Sequence, residues 1–231
     1  MILLISSETS MLAKGEREWP ISEAIDKASH QCQSYKPQSI SAPLSRRMKV
    51  TTLAIDAVKL VVPQRFGDSR GYFVEIWNRK TFASDVGIDV DFVQDNASLS
   101  RAAGTVRGLH FQRPPVPQAK LVRCQRGSLF DVAVDLRRAS PTFGRHVSAV
   151  LTAEGGEQLF VPEGFAHGFC TLEPNTEIAY KVSGFYSREH DAGIAWNDPD
   201  IGIEWPLQGR EPSLSERDRQ LPRLAELAAL F

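Results

Sequence analysis

An all-β domain closed by a C-terminal helix is the fold this chain predicts, and three observations carry it. Short apolar runs recur between Gly- and Pro-rich turns from Met48 onward. One of them, Ser128–Leu136, alternates: Phe130, Val132, Val134 and Leu136 fall on one face, Asp131, Ala133 and Asp135 on the other. A period of two marks a strand with one buried face. No segment alternates strands with helices as a parallel sheet would require. Eight or more short strands linked by turns form a sandwich, a jelly roll or a barrel.

Taken in chain order, residues 1–47 stand apart. They are rich in Ser, Gln, Lys and Pro, with one weak helix near Ser22–Ser34. They offer little apolar surface to offset the entropy of ordering, which predicts a flexible extension ahead of a domain over 48–231. The opening MILLISSETS meets Glu8 too soon for the apolar core of a signal peptide. From Met48, LVVPQRFGDSRGYFVEIW places a turn at Gly67–Gly71 between two β-rich runs, and NRKTFASDVG reads as a short helix ending at Gly87. Strands follow at Val90–Gln94, Thr105–Gln112, Ala119–Gln125, Ser128–Leu136, Val147–Leu151, Gln158–Val161, Gly168–Leu172 and Glu177–Val182. The last segment, SLSERDRQLPRLAELAALF, spaces Leu221, Leu224, Leu227 and Leu230 for one long helix.

Composition narrows the function. With 231 residues, 42% hydrophobic and 24% charged, the chain can bury a real core. Its 27 basic and 28 acidic residues nearly cancel, so neither nucleic acid nor a membrane surface is attracted by overall charge. An anionic ligand needs a local arginine cluster instead. No apolar stretch is long enough to span a bilayer. Cys32, Cys124 and Cys170 are odd in number and far apart, which argues against a disulfide framework and fits a reducing cytoplasm.

The candidate chemistry centres on His110. In the strand Thr105–Gln112 it shares a face with Gly108 and Gln112, while Leu109 and Phe111 lie opposite. A strand histidine is commonly a satisfied buried group. Pointing into a barrel interior, it would be placed to move a proton. Lys120 opens the next strand beyond the Pro-rich loop, where an edge role is the ordinary one. Tyr180 sits in EIAYKV, where packing is a tyrosine's default, and His167 lies among Gly and Phe. A metal site finds little support: there is no His-x-His, and the histidines at 30, 110, 146, 167 and 190 are scattered. A metal-free set of His, Lys and Tyr suits proton abstraction beside a carbonyl, with the lysine stabilising the oxyanion.

The blocks FGDSRGYFVE, FVQDN, VRGLHFQ, AKLVRC, GSLFDVAVDLR, SPTFG, LFVPEGFAHGF, YKVSGFYS and WNDPDIGIEWP, in that order over about residues 50–220, resemble the dTDP-4-dehydrorhamnose 3,5-epimerase family. The resemblance implies a cupin-like jelly roll, a homodimer, no metal and no cofactor. It implies a dTDP-4-keto-6-deoxy sugar nucleotide as substrate, epimerised at C3 and C5 on the way to dTDP-L-rhamnose. His110 is then the base, Asp218 its carboxylate partner, Tyr180 the acid, and Lys120 the residue beside the C4 oxygen. Asp218 has a second reading from spacing alone, because Ser215-x-x-Asp218 is also a capping box. The resemblance places Arg70, Glu75, Gln94, Asp95, Asn96, Arg107, Lys120 and His167 at nucleotide-sugar contacts. Arg70 and Arg107 suit a diphosphate, and Tyr72 or Phe73 a stacked base. Two positions depart from the family pattern. Asp191 stands where Glu is common, and Arg217 where Lys is common, so retuned nucleotide contacts are expected there. Three other functions share parts of this picture: a single-centre epimerase or ketoisomerase on the same sugar nucleotide, a metal-dependent cupin enzyme, and a non-catalytic binding module.

Overall fold

The structure, a computed structural model, describes residues 47–227 and 231. Residues 1–46 of the expected extension 1–47, its weak helix near Ser22–Ser34 included, and Leu230 lie outside the described residues. The chain runs through β1 (Met48–Thr52), β2 (Lys59–Pro63), β3 (Arg65–Asp68), β4 (Gly71–Val74), α1 (Arg79–Val86), β5 (Gln94–Ser100) and β6 (Val106–Gln112). It continues through β7 (Lys120–Arg126), β8 (Ser128–Asp135), β9 (His146–Thr152), β10 (Gln158–Val161), β11 (Phe165–Thr171), β12 (Thr176–Val182), β13 (Asp191–Gly193) and α2 (Glu216–Arg219).

Two antiparallel sheets make a cupin-like jelly roll. One has the order β1-β2-β10-β7-β12-β5, the other β13-β6-β11-β8-β9, and β3-β4 form a separate hairpin. Val122, Leu159 and Ile178 of the first sheet meet Leu129, Leu151, Phe165 and Phe169 of the second in the central core. Removing such side chains from water contributes about 1.5–3 kcal/mol each. A second core lies outside the five-stranded sheet, where Leu109, Phe111, Val132 and Val134 are covered by Ile194, Ile201 and Leu227. A third lies outside the six-stranded sheet, where Leu121 and Phe160 take Phe82 from α1. Asn78 caps α1 by accepting from the N–H groups of Lys80 and Thr81 at 3.0 and 3.3 Å.

Several expectations shift. Strand β8 is buried on both faces, because the C-terminal segment covers the side opposite the main core. The strand expected at Val90–Gln94 lies at Gln94–Ser100; its less exposed positions, Gln94, Asn96, Ser98 and Ser100, are polar, so no apolar alternation announces it. Strand β11 begins at Phe165, ahead of the expected Gly168, since His167 interrupts the apolar pattern. The single long terminal helix is instead the short α2 and a 3-10 turn, Leu224–Glu226. Pro222 separates them: it has no N–H to donate, and its carbonyl is taken by the Ala195 N–H at 2.8 Å. Among the described residues, no helix is long and apolar enough to cross a membrane.

Candidate active site

Between the two sheets lies a cavity of about 490 Å³, and strand phase decides what enters it. On β6, Leu109 and Phe111 turn outward into the second core, which turns His110 inward. On β11, Phe165 and Phe169 belong to the central core, so His167 between them also points in. The two histidines are direct partners in the β6–β11 register and stand side by side on the five-stranded wall. Lys120 of β7 and Tyr180 of β12 line the cavity from the six-stranded wall.

The His110 ring is held by a carboxylate far along the chain. Its Nε2 lies 2.6 Å from Oδ1 of Asp218, which is only 4% exposed. A parallel bridge between Thr105 and Ser213, with Val106 N–H donating to the Ser213 carbonyl at 3.0 Å, brings the α2 segment to the end of β6. Ser215 Oγ accepts from the Asp218 N–H at 3.1 Å. Both readings of this segment therefore hold in part: Ser215 caps the helix, while the Asp218 side chain goes to the histidine. Burial pushes the Asp218 carboxyl up, but the hydrogen bond and charge of His110, with Ser215 and Arg217, hold it below the ordinary value.

Lys120 is 8% exposed, and its Nζ donates to the His110 carbonyl at 3.1 Å. Burial pulls its ammonium down to about 8, with Asp131 and Asp191 opposing. Burial raises the Tyr180 hydroxyl above its ordinary value, so it keeps its proton at neutral pH. The arrangement has an ordered imidazole on one wall, a protonated phenol on the other and a titratable ammonium between sheets. Such a set can remove a proton from one side of a substrate and return one to the other.

The remaining predicted residues divide. Arg107 lines the cavity, tied by Nε to Ser100 Oγ and by Nη2 to the Leu99 carbonyl, each at 3.2 Å. Arg217 lines it too and pairs with Asp191 at 2.8 Å. Asp191 also accepts from the Tyr186 hydroxyl at 3.1 Å. Gln94 donates to Asn96 at 2.8 Å, and Asp95 pairs with Lys181 at 2.6 Å on the opposite face of β5; these three are not brought to the cavity lining. Glu75 accepts from Asn78 and Thr81 at the start of α1. Arg70, its side chain 88% exposed, pairs with Asp68 on the β3–β4 hairpin. Neither residue reaches this chain's own cavity.

Sequence reasoning missed Asp131, taking it for part of a solvent face. It is fully buried, with Oδ1 at 2.6 Å from Nε2 of His167. The small Ala133 beside it on an otherwise apolar β8 is the available signal, and it was ambiguous. Among the described residues, no group of three or more His, Cys, Asp or Glu side chains converges as metal ligands would.

Comparison with known proteins now joins the geometry. Residues 52–226 match the family model described as dTDP-4-dehydrorhamnose 3,5-epimerase. The enzyme of that name from Sinorhizobium fredii is 56% identical over 184 residues, 80% of this chain and 93% of that one. The solved dTDP-4-dehydrorhamnose 3,5-epimerase of Bacillus anthracis, with TDP and PPi bound, superposes with a TM-score of 0.73. It shares 48% identity, covering 76% of this chain and 99% of that chain. The Legionella pneumophila dTDP-6-deoxy-D-glucose-3,5-epimerase, in complex with dTDP-4-keto-L-rhamnose, gives a TM-score of 0.74 at 40% identity, covering 78% of this chain and 94% of that one. A 3'-monoepimerase from Streptomyces bikiniensis, in complex with dTDP-quinovose, gives 0.69 at 34% identity, covering 75% and 87%. With the motifs in order, the jelly roll in place and these likenesses over nearly the whole described domain, the chain belongs to the dTDP-4-dehydrorhamnose 3,5-epimerase family.

Proposed function

We propose that residues 48–231 form an isomerase domain. It inverts C3 and C5 of dTDP-4-dehydro-6-deoxy-D-glucose to give dTDP-4-dehydro-6-deoxy-L-mannose, using protein side chains alone. The observation that carries this reading is the placement of His110–Asp218 and Tyr180 on opposite walls of one cavity, with Lys120 reaching from the Tyr180 wall to the His110 carbonyl. The C4 ketone acidifies the hydrogens on both neighbouring carbons. His110, with its Nε2–H donated to Asp218, takes the proton from one face of the ring on its Nδ1. The electrons pass to the C4 oxygen, where the Lys120 ammonium stabilises the enolate. Tyr180 returns a proton to the other face, and water restores both groups before the second centre reacts. Arg107 and Arg217 supply forked donors for the diphosphate at the cavity edge.

The active form we infer is a homodimer. Arg70 and the aromatic rings of Tyr72 and Phe73, 60% and 68% exposed, project on a hairpin away from this chain's cavity. A second copy's hairpin would bring its Arg70 and aromatic rings to the nucleotide, which explains why predicted contacts lie outside one subunit's site.

The test is incubation with the 4-keto sugar nucleotide in deuterated water, with the product followed by proton NMR. The unaltered protein exchanges and inverts both C3 and C5. His110→Ala loses exchange at both carbons, and exchange retained at both would remove His110 from the mechanism. Tyr180→Phe keeps exchange but loses inversion, whereas inversion at the normal rate would exclude Tyr180 as the acid. Deuterium at C3 alone would favour the second reading, single-centre epimerisation, which the likeness to the Streptomyces bikiniensis 3'-monoepimerase keeps in view.

A further inference from the structure

Two aspartates stand on the inward face of β8, and they are furnished differently. Asp135 accepts from Nε and Nη2 of Arg137 and from the hydroxyls of Ser140 and Thr142, so both its oxygens are engaged. None of these groups lines the active-site cavity. Asp131 is as deeply buried, yet its Oδ1 meets only His167 and its Oδ2 has no hydrogen-bonding partner among the described residues. A buried carboxylate this poorly served is costly as a purely structural device, and an apolar residue would pack the core better. What distinguishes Asp131 is the company it keeps. His167, which it bonds, and Lys120, on which its charge acts, both line the cavity.

We propose that Asp131 is a positioning residue for the reaction: its carboxylate fixes the proton of His167 on Nε2 and supplies the counter-charge that keeps Lys120 an ammonium beside the substrate oxyanion. The role in the reaction rests on the epimerase reading above. The other anions near Lys120 are already engaged. Asp191 of β13 is paired with Arg217, and Asp218 of α2 is spent on His110. The groups facing it from β6, β11 and β12 are His110, His167 and Tyr180, none of which brings an anion at neutral pH. Arg107 and Arg217 add positive charge, which works against the ammonium. Burial alone draws the Lys120 ammonium toward release of its proton, and Asp131 is the foremost charge opposing that. With its Nε2–H donated to Asp131, the His167 ring is held in one orientation at the cavity wall, and its Nδ1 is left for substrate.

The experiment is Asp131→Asn in the full chain, a change that keeps the shape and removes the charge. The Lys120 titration midpoint is followed by 13C NMR of its Cε methylene, without substrate. It moves down from about 8 by about one unit or more in the variant. The alkaline limb of kcat/KM for C3 and C5 exchange moves with it, so activity near pH 8 falls about fivefold or more relative to activity near pH 6. A lower Tm with an unmoved Lys120 midpoint and an unmoved limb would mean a structural role and overturn the proposal. If the variant does not fold, the unaltered protein still decides, because long-range 1H–15N correlations show which His167 nitrogen carries the proton. A proton on Nε2 is expected; a bare Nε2 with the proton on Nδ1 overturns the assignment. Failure of the epimerase reading is seen separately, as no exchange by the unaltered protein. The two NMR titrations would then still report on Asp131, Lys120 and His167.

Discussion

At the scale of single residues, the α2 segment performs two tasks that substitution can separate. Ser215 satisfies the Asp218 N–H, and the Asp218 carboxylate holds His110. Ser215→Ala should cost about 1 kcal/mol of stability, as loss of an N-cap does. Asp218→Asn should leave the fold intact and lower kcat by on the order of 10²–10⁴-fold, because the imidazole loses its orienting anion. Thermal melts and exchange rates for both variants check the pair; equal losses of activity would contradict it. Lys120 shows what the site costs the fold. Its folded pKa, about 8, lies below the ordinary 10.5. Between those values the unfolded chain binds more protons, so this group's contribution to stability improves as pH rises and is least favourable below about 8. Lys120→Met should therefore be inactive yet more stable at pH 7 by about 1–3 kcal/mol, with the gain shrinking toward pH 10. Denaturant titrations across that range measure it, and a gain independent of pH would refute the argument. The residue pattern alone gave His110, Lys120 and Tyr180 ordinary alternatives, and the family resemblance is what singled them out; the structure brings all three to one cavity. Asp131 was not singled out, since a period-two pattern alone does not tell a solvent face from a cavity.

At the scale of elements, the site depends on how closely β6 and β11 approach. Gly108 has φ +124, a backbone conformation open mainly to glycine. A Cβ there would stand 2.5 Å from the Gly168 Cα and 2.8 Å from the His167 carbonyl. Neither is a flexible side-chain tip, so the strands themselves must part. Because His110 and His167 are partners in this register, parting the strands moves both rings. Gly108→Ala should destabilise by more than about 1 kcal/mol and reduce kcat together with stability. A variant with normal Tm and normal exchange would show that the pairing tolerates a side chain. The strands themselves were readable wherever one face was apolar, as in β7, β8, β10 and β12. They were not readable where polar residues replace the apolar face, as along β5, whose less exposed positions are Gln94, Asn96, Ser98 and Ser100. The terminal helix was misjudged for a different reason. Leucine spacing promised it, but Pro222 divides it, and tertiary contacts of Leu224, Leu227 and Phe231 against the five-stranded sheet decide the path instead.

At the scale of the whole molecule, the sites expected from the sequence are divided between a cavity and a remote hairpin. His110, Lys120, Arg107 and Tyr180 converge; Arg70 stands apart on β3–β4 with three exposed aromatic residues, Phe66, Tyr72 and Phe73. Sequence motifs name residues without saying whose site they serve, which is why this division could not be read in advance. If the hairpin acts within its own chain, a subunit carrying His110→Ala and one carrying Arg70→Ala are both impaired, and mixing them restores nothing. If it acts on the other subunit, as we infer, a mixed dimer contains one site with an intact His110 and an intact Arg70 supplied by its neighbour. Random pairing makes about half the dimers mixed, each with one complete site, by the geometry of a two-fold assembly. Mixed, unfolded and refolded together, the two variants should therefore recover about a quarter of the activity of the unaltered protein. Recovery should require refolding or subunit exchange, and sedimentation should show a dimer before and after. A monomer in solution, or a mixture no more active than its parts, would assign Arg70 to a role outside the nucleotide site.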